Sequence, residues 1–421
     1  MFNKTQQPID GLLRFFLGCG KFTTSTNMVG IIAFTGNIDE SIFRRALFII
    51  QKRHPLLAVR IKDENNTHFS TENVPEIPLI IMPRQTNDQW QKVVFDELHH
   101  PLPLYTGPLV RFIYLAGAEQ GEILLVFNHI ISDGTSRTHL SIELFEIIQA
   151  LKENRTITHE TDNSLISSYD AALAQIESTV AESIAFVNNF SSAAPLTHRY
   201  TYFIPHDFSQ EETRLIQNRY RMNHGSLQSA LSAAVAQVIA ENIRERTGEQ
   251  TPTIICHHPI NMRPYLKPSL KSSDVGAWVS VINNAMDIHP GENVWHLARR
   301  IKEKLYTSLE QNDHIKTLWH AKKNQNLSDY ELFTGVQARH PTAAVSQLGT
   351  MHVSNFGDLQ IESMRGLYNW SVLFNHEDIF TLTGMILNNR LLATFVYIYP
   401  YVNHEKARCM ADNVIKKLLS D

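Results

Sequence analysis

Cysteine is scarce in this chain: Cys19, Cys256 and Cys409 are the three cysteines among 421 residues. An odd number at wide spacing favours neither a disulfide framework nor a four-cysteine zinc site, and we expect a reducing, cytoplasmic location. No stretch reaches 18 uncharged apolar residues, so no membrane-spanning helix is expected. The N-terminal stretch GLLRFFLGCG is short and interrupted by Arg14, which argues against a signal peptide.

An excess of positive charge is also missing, since 38 Lys and Arg face 42 Asp and Glu, for a net charge of -4. No basic field is available to bind a phosphate backbone, so we expect no nucleic-acid partner. The sequence contains neither a Gly-x-Gly-x-x-Gly pattern nor a phosphate loop, which leaves a nucleotide-binding fold without support. The hydrophobic share of 43% is typical of a compact globular protein.

Strand and helix patterns alternate in both halves of the chain. MVGIIAFTG (28–36) predicts a strand, and Asp39 follows it as the predicted cap of a helix. GMILNNRLLATFVYIY (384–399) predicts a hairpin with its turn at Asn388-Asn389. We therefore predict an α/β fold of two layered domains, and the predicted boundaries are domains at 1–180 and 199–421 with a linker at 181–198.

The segment FNHIISDG (127–134) places His129 at the end of an apolar strand pattern, with Asp133 and Gly134 just beyond. A loop at a strand end presents a side chain to a cleft, while the strand fixes its position. An imidazole there can take a proton from a hydroxyl or amine and return it to a leaving thiolate, because its pKa lies near working pH.

Two other interpretations of this segment stay open from spacing alone. Asp133 can simply cap a helix that begins near Thr135, with His129 as a satisfied core residue. A metal site is the other interpretation, but it needs a third ligand and the sequence has no His-Glu-x-x-His. The nearest fragment, His404-Glu405, falls on a predicted surface helix, so we predict no metal.

Five segments, in order, resemble the chloramphenicol acetyltransferase-like superfamily. This superfamily includes the condensation domains of nonribosomal peptide synthetases, the plant BAHD acyltransferases and the polyketide-associated acyltransferases. NHIISDGTS resembles its His-His-x-x-x-Asp-Gly motif, and IFRRALFIIQKRHPLLAVRI resembles its early helix and Arg-His-Pro signature. The other three similar segments are GPLVRF (107–112), PINMRPYL (259–266) and VSNFGDL (353–359).

The resemblance implies a role for each residue that matches a motif. His129 is expected to be the general base, and Asp133 is expected to hold its loop through a salt bridge to Arg263. Asn128 stands where the family has its first motif histidine, which is a departure at the less essential position.

The same resemblance implies that three further residues stabilise the oxyanion of the reaction. Gly134 is expected to let the backbone approach the acyl group and to turn its N–H toward the developing oxyanion. Ser354 and Asn355 are expected to line the far side of the channel and donate hydrogen bonds to the tetrahedral intermediate.

The implied architecture is a V-shaped pair of acetyltransferase-like domains with mixed sheets flanked by helices. His129 then lies in a channel between the domains. No permanently bound cofactor is implied; the co-substrate is an acyl-coenzyme A or a phosphopantetheinyl-carrier thioester. The expected partners are a small alcohol or amine acceptor and an acyl carrier protein or polyketide synthase.

Three functions fit this resemblance. The first is transfer of an acyl group from the thioester to an alcohol. The second is a stand-alone condensation enzyme that forms an amide with the same histidine. The third is a pseudoenzyme that only binds a carrier, for which Asn128 is the single support.

Overall fold

A computed structural model describes residues 6–9, 11–22, 26–63, 67–157, 198–266, 269–323, 340–371 and 376–420. The expected linker, 181–198, lies outside these ranges except for its last residue. Within them, no helix combines the length and the apolar character that a bilayer span requires.

The first half of the chain builds four strands of a five-stranded sheet, which helices cover. Its elements are β1 (Gln6–Pro8), α1 (Gly11–Phe22), β2 (Asn27–Thr35), α2 (Glu40–Arg53), β3 (Arg60–Lys62), β4 (His68–Ser70), β5 (Leu79–Pro83), α3 (Gln89–His99), β6 (Val110–Ala116), β7 (Gln120–Asn128) and α4 (Gly134–Lys152). β2, β7 and β6 are antiparallel neighbours, and β5 joins the edge parallel to β6. β1, β3 and β4 form a separate small sheet.

The second half builds a six-stranded mixed sheet. Its elements are β8 (Tyr200–Asp207), α5 (Gln210–Met222), α6 (Leu227–Thr247), β9 (Thr253–Asn261), β10 (Val279–Asp287), α7 (Val294–Glu310), α8 (Asp313–Lys323), β11 (Thr342–Met351), β12 (Gln360–Tyr368), β13 (Ile379–Leu387), β14 (Arg390–Tyr399) and α9 (His404–Leu419). The strand order is β10-β9-β11-β13-β14-β8. The mixed α/β class expected from the alternating patterns is confirmed.

One strand of the second half, β12, lies outside this six-stranded sheet. β12 pairs antiparallel with β2 and forms an edge of the first sheet, with Gly366 opposite Gly30 and Tyr368 opposite Met28. The two halves of the chain therefore share backbone hydrogen bonds as well as packing.

Local sequence signals account for several element ends. The side chain of Asp39 accepts a hydrogen bond from the N–H of Ser41 and begins α2. Asn388 and Asn389 take left-handed φ values of 46° and 68°, as a tight hairpin between β13 and β14 requires. These predicted elements are confirmed at the residues expected.

The core is divided between the two faces of the six-stranded sheet. Leu392 and Val396 of β14 join the apolar cluster of the first half, whereas Leu391 and Phe395 join the cluster that includes α6 and α9. This alternation is the two-residue period of a strand that is buried on both faces.

A buried carboxylate ties α2 to α4. Glu143 accepts a hydrogen bond from Arg53 at 2.7 Å and bonds to Nε2 of His54 at 2.6 Å, and His139 lies 3.6 Å away. Burial would raise the pKa of Glu143, but the hydrogen bonds and charges of His54 and Arg53 outweigh it and lower that pKa to about 2. Two histidines and a carboxylate this close could share a cation, yet Arg53 already neutralises Glu143.

We expect Glu143→Gln to lower the free energy of unfolding at pH 7, and to lower it less at acidic pH. A carboxyl whose pKa is lowered on folding stabilises the protein above its unfolded pKa near 4.5, and this contribution is lost as the pH falls toward 2. The stability difference between wild type and Glu143→Gln should therefore be about 2 kcal/mol smaller at pH 3 than at pH 7. Urea unfolding at both pH values measures it.

Glu146→Gln is the matched control, because Glu146 lies on the same helix but is exposed, and its pKa is raised by partial burial and by the charge of Glu143. Because a raised pKa disfavours the charged form, wild type should gain stability relative to Glu146→Gln as the pH falls, the opposite of the change expected for Glu143→Gln. An equal pH dependence for both variants would contradict the assignment.

Candidate active site

His129 lies in the turn that follows β7. Its backbone N–H donates to the carbonyl of Thr26 at 3.1 Å, and its Nδ1 bonds to the carbonyl of Ser132 at 3.0 Å. A carbonyl only accepts, so Nδ1 carries the proton and Nε2 has the free lone pair. Among the described residues Nε2 has no hydrogen-bond partner, so this nitrogen is available to a substrate.

Two aromatic rings hold the imidazole. Phe16 of α1 stacks on it with ring centres 4.4 Å apart and planes at 10°, and Tyr368 of β12 lies at 5.3 Å on a tilt of 31°. Burial lowers the pKa of His129, the charge of Arg137 lowers it further, and Asp133 and the bond to Ser132 partly oppose this. The imidazole is therefore a neutral base at pH 7.

Asn128 is buried and supports the turn that carries His129. It is 3% exposed, and its Oδ1 accepts hydrogen bonds from Thr26 Oγ1 at 3.2 Å and from the N–H of Ile130 at 3.1 Å. These bonds need an acceptor and no titrating group. The residue at the first motif position thus has a structural explanation in this chain.

Asp133 joins the turn to the second half of the chain. Its carboxylate caps α4 by accepting from the N–H of Ser136 at 2.8 Å, and it also accepts from the N–H of Trp278 at 3.0 Å. Arg263 completes the set with Nη1 to Oδ2 at 2.8 Å and Nη2 to Oδ1 at 3.2 Å. Both side chains are buried, so the carboxylate is committed to this network.

The guanidinium of Arg263 has further partners. Nη2 donates to Ser136 Oγ at 2.7 Å and to the carbonyl of Asp274 at 3.0 Å, and Nη1 donates to Asn261 Oδ1 at 3.2 Å. Ser136 in turn bonds to the backbone of Gly276 at 2.9 and 3.0 Å. Sequence reasoning missed Ser136, although it lies inside the quoted motif.

Gly134 begins α4 beneath two side chains. A Cβ at this position would lie 2.5 Å from Leu348 and 2.9 Å from the hydroxyl of Tyr368, so only glycine fits. Protein side chains, rather than open space, occupy the volume that the missing side chain leaves. The backbone N–H of Gly134 has no partner among the described residues, as is normal for the first turn of a helix.

Ser354 and Asn355 are not brought to His129, which corrects the expectation that they line its channel. Both are exposed, and the same loop places Asp358 in a salt bridge of 2.6 Å with Lys152, the last residue of α4. His129 lies before the first residue of that helix, and 19 residues of α-helix span roughly 28 Å. The full length of β12, Gln360–Tyr368, separates this loop from Tyr368, which lies at the site.

A buried arginine beside the site was also missed from the sequence. Arg137 is 3% exposed and forms no ion pair with a described carboxylate; its Nη1 donates to the carbonyls of Val29 and Arg365. Its side chain lies in a slot over Gly30 and Gly366, where a Cβ on Gly366 would be 1.6 Å from Nη1. No sequence signal indicated this slot, because Gly30 and Gly366 become neighbours only when β12 pairs with β2.

Two family models match this chain in succession. The model described as "Condensation domain" matches residues 10–182, and the model "Phthiocerol/phthiodiolone dimycocerosyl transferase C-terminus" matches residues 203–397. The polyketide synthase PksN of Bacillus subtilis is 27% identical over 121 residues, a match that covers 28% of this chain and 2% of that protein.

Solved structures resemble nearly the whole chain. The first condensation domain of the CDA synthetase has a TM-score of 0.73 at 13% identity, covering 99% of this chain and 96% of that one. The trichothecene 15-O-acetyltransferase TRI3 of Fusarium sporotrichioides has a TM-score of 0.70 at 13% identity. This match covers 98% of this chain and 94% of that one. The resemblance to the chloramphenicol acetyltransferase-like superfamily that the sequence indicated is confirmed.

A third solved structure, polyketide synthase associated protein 5 of Mycobacterium tuberculosis, has a TM-score of 0.68 at 15% identity, and the match covers 98% of both chains. At these identities the structures establish the shared fold. The α/β fold of two layered domains expected from the sequence is therefore shared with these structures.

We expect Asp133→Asn and Arg263→Met each to destabilise the protein by about 3–5 kcal/mol, because each strands the other partner's charge in the interior. Asp133→Asn keeps the oxygen that caps α4, so it tests the charge rather than the cap. The double variant should lose less than the sum of the two, and a denaturant-unfolding double-mutant cycle measures the coupling.

The exposed pair Lys92–Asp96 supplies the control, since its side chains are 81% and 53% exposed. Asp96→Asn should change the stability by less than about 0.5 kcal/mol. Additive effects of the two buried substitutions would contradict the interpretation that they act through one ion pair.

Proposed function

We propose that this protein is an acyltransferase that moves an acyl group from a coenzyme A or carrier-protein thioester to an alcohol. The observation that carries this proposal is the free Nε2 of His129, which is held in one tautomer by the carbonyl of Ser132. A neutral, oriented imidazole whose second nitrogen is available is what general-base activation of a hydroxyl requires.

The reaction is a direct transfer in this proposal. Nε2 of His129 takes the hydroxyl proton as the acceptor oxygen forms a bond to the thioester carbonyl carbon. The carbonyl becomes an oxyanion, which the N–H of Gly134 and the positive end of α4 stabilise. The tetrahedral intermediate collapses, the C–S bond breaks, and the thiolate takes the proton back from the imidazolium.

Asp133 is a positioning residue in this scheme. Its carboxylate is used by Arg263, the N–H of Trp278 and the N–H of Ser136, so it is not available as a proton relay. Its network fixes the turn that carries His129 against the second half of the chain.

The choice of substrates rests on the named relatives. An O-acetyltransferase and a family of dimycocerosyl transferases support an ester product. The condensation-domain match makes amide formation from a carrier-bound amine the second candidate function. A polyketide synthase and a polyketide synthase associated protein among the relatives support a carrier domain as the donor and partner.

We expect His129→Ala to fold normally and to lose nearly all transfer, roughly 10²–10⁴-fold, because a general base typically contributes that much. Thiol release from a panel of acyl-coenzyme A and acyl-carrier donors, with alcohol and amine acceptors, measures it beside thermal melting. Wild-type kcat/KM should fall with decreasing pH through a pKa below the usual histidine value, since His129 must be neutral.

His206→Ala, a half-buried histidine of β8 with no part in the mechanism, is the control and should retain activity. Near-normal turnover by His129→Ala would rule out the base assignment. A wild-type protein that binds donors but never releases thiol would favour the carrier-binding pseudoenzyme instead.

A further inference from the structure

Tyr368 is the polar side chain beside His129 that the mechanism has not used. It is the last residue of β12 and is 8% exposed. Its ring centre lies 5.3 Å from that of the imidazole, so the two rings pack side by side. β12 thus delivers a phenol from the second half of the chain to a base on the first.

The hydroxyl of Tyr368 is held at the start of α4. It lies 2.9 Å from the point where a Cβ of Gly134 would be, next to the free N–H of that residue. The side chain of Ser346 on β11 lies close enough to lower the pKa of Tyr368 from the other side. When the hydroxyl of Ser346 donates to the phenol oxygen, the phenolic proton is left for an acceptor in the site.

The charges around this hydroxyl favour a negative group. α4 presents its N-terminal, positive end, and Arg137 adds a buried cation without a described carboxylate partner. Burial raises the pKa of Tyr368 and the charge of Arg137 only partly opposes this, so the phenol keeps its proton at pH 7. A protonated phenol in a positive field donates a hydrogen bond to an oxyanion better than to a neutral carbonyl.

We propose that Tyr368 is a second catalytic donor, whose hydroxyl binds the thioester oxygen together with the N–H of Gly134 as the oxyanion forms. The proposal rests on the proposed acyl transfer. No proton leaves the phenol: its hydrogen bond to the thioester oxygen shortens as the oxyanion forms and lengthens again when the C–S bond breaks. Ser346 is a positioning residue for this donor.

Tyr368→Phe tests the proposal, because it removes the hydroxyl and keeps the ring that packs on His129. We expect kcat to fall about 10²–10³-fold, as for other lost oxyanion donors, while KM changes less than about threefold and the melting temperature is unchanged. Ser346→Ala should lower kcat less, since the phenol remains. Tyr114→Phe is the matched control: this buried tyrosine of β6 bonds to the N–H of Ile38 at 3.4 Å and should leave kcat as in wild type.

A binding measurement separates the donor role from turnover. In the His129→Ala background, bound octanoyl-coenzyme A labelled with ¹³C at the carbonyl should show a ¹³C resonance shifted downfield from its position in water. Adding Tyr368→Phe should remove part of that shift. A merely structural tyrosine would not change the shift when the ring is kept.

Normal kcat for Tyr368→Phe, or an unchanged carbonyl shift, overturns the donor assignment while leaving the proposed transfer intact. If wild type neither binds nor turns over any thioester of the panel, the proposed function fails and the role of Tyr368 fails with it. A raised KM with normal kcat would make Tyr368 a substrate-packing residue and would also overturn the proposal.

Discussion

The buried ion pair between Asp133 and Arg263 is the interaction on which the rest of the site depends. It is the point where the first turn of α4 meets the loop after β9. Because the pair is bidentate and desolvated, it restricts orientation as well as distance. Asp133 lies just after the turn that carries His129, so the pair ties the position of this turn to the interface between the two halves.

The motif residues near His129 could be placed from the sequence because they are local. Asp133 is four residues from His129 and caps the helix that follows, so chain connectivity alone fixes their relation. Arg263 was reached only through the family resemblance, since 130 residues separate it from Asp133. Helix caps at Asp39 and the hairpin at Asn388 were predictable for the same local reason.

The residues whose positions could not be predicted depend on the pairing of β12, a strand of the second half, with β2 of the first half. Ser354 and Asn355 were expected at the site, but they precede the first residue of β12. Tyr368, which lies at the site, is the last residue of that strand. The position of the Arg137 side chain could not be predicted, because its slot is formed by Gly30 and Gly366. These two residues become neighbours only when β12 pairs with β2. Register between distant strands is set by tertiary packing, which no window of sequence contains.

The donated strand also limits how the protein can be divided. A fragment cut after the first half would leave β2 as an unprotected apolar edge, a template for aggregation, and the Arg137 side chain would lose the backbone beneath it. Chimaeras that exchange halves with a relative must therefore move β12 together with the first half, although it lies more than 200 residues further along the chain. The recombination unit of this fold is discontinuous in sequence.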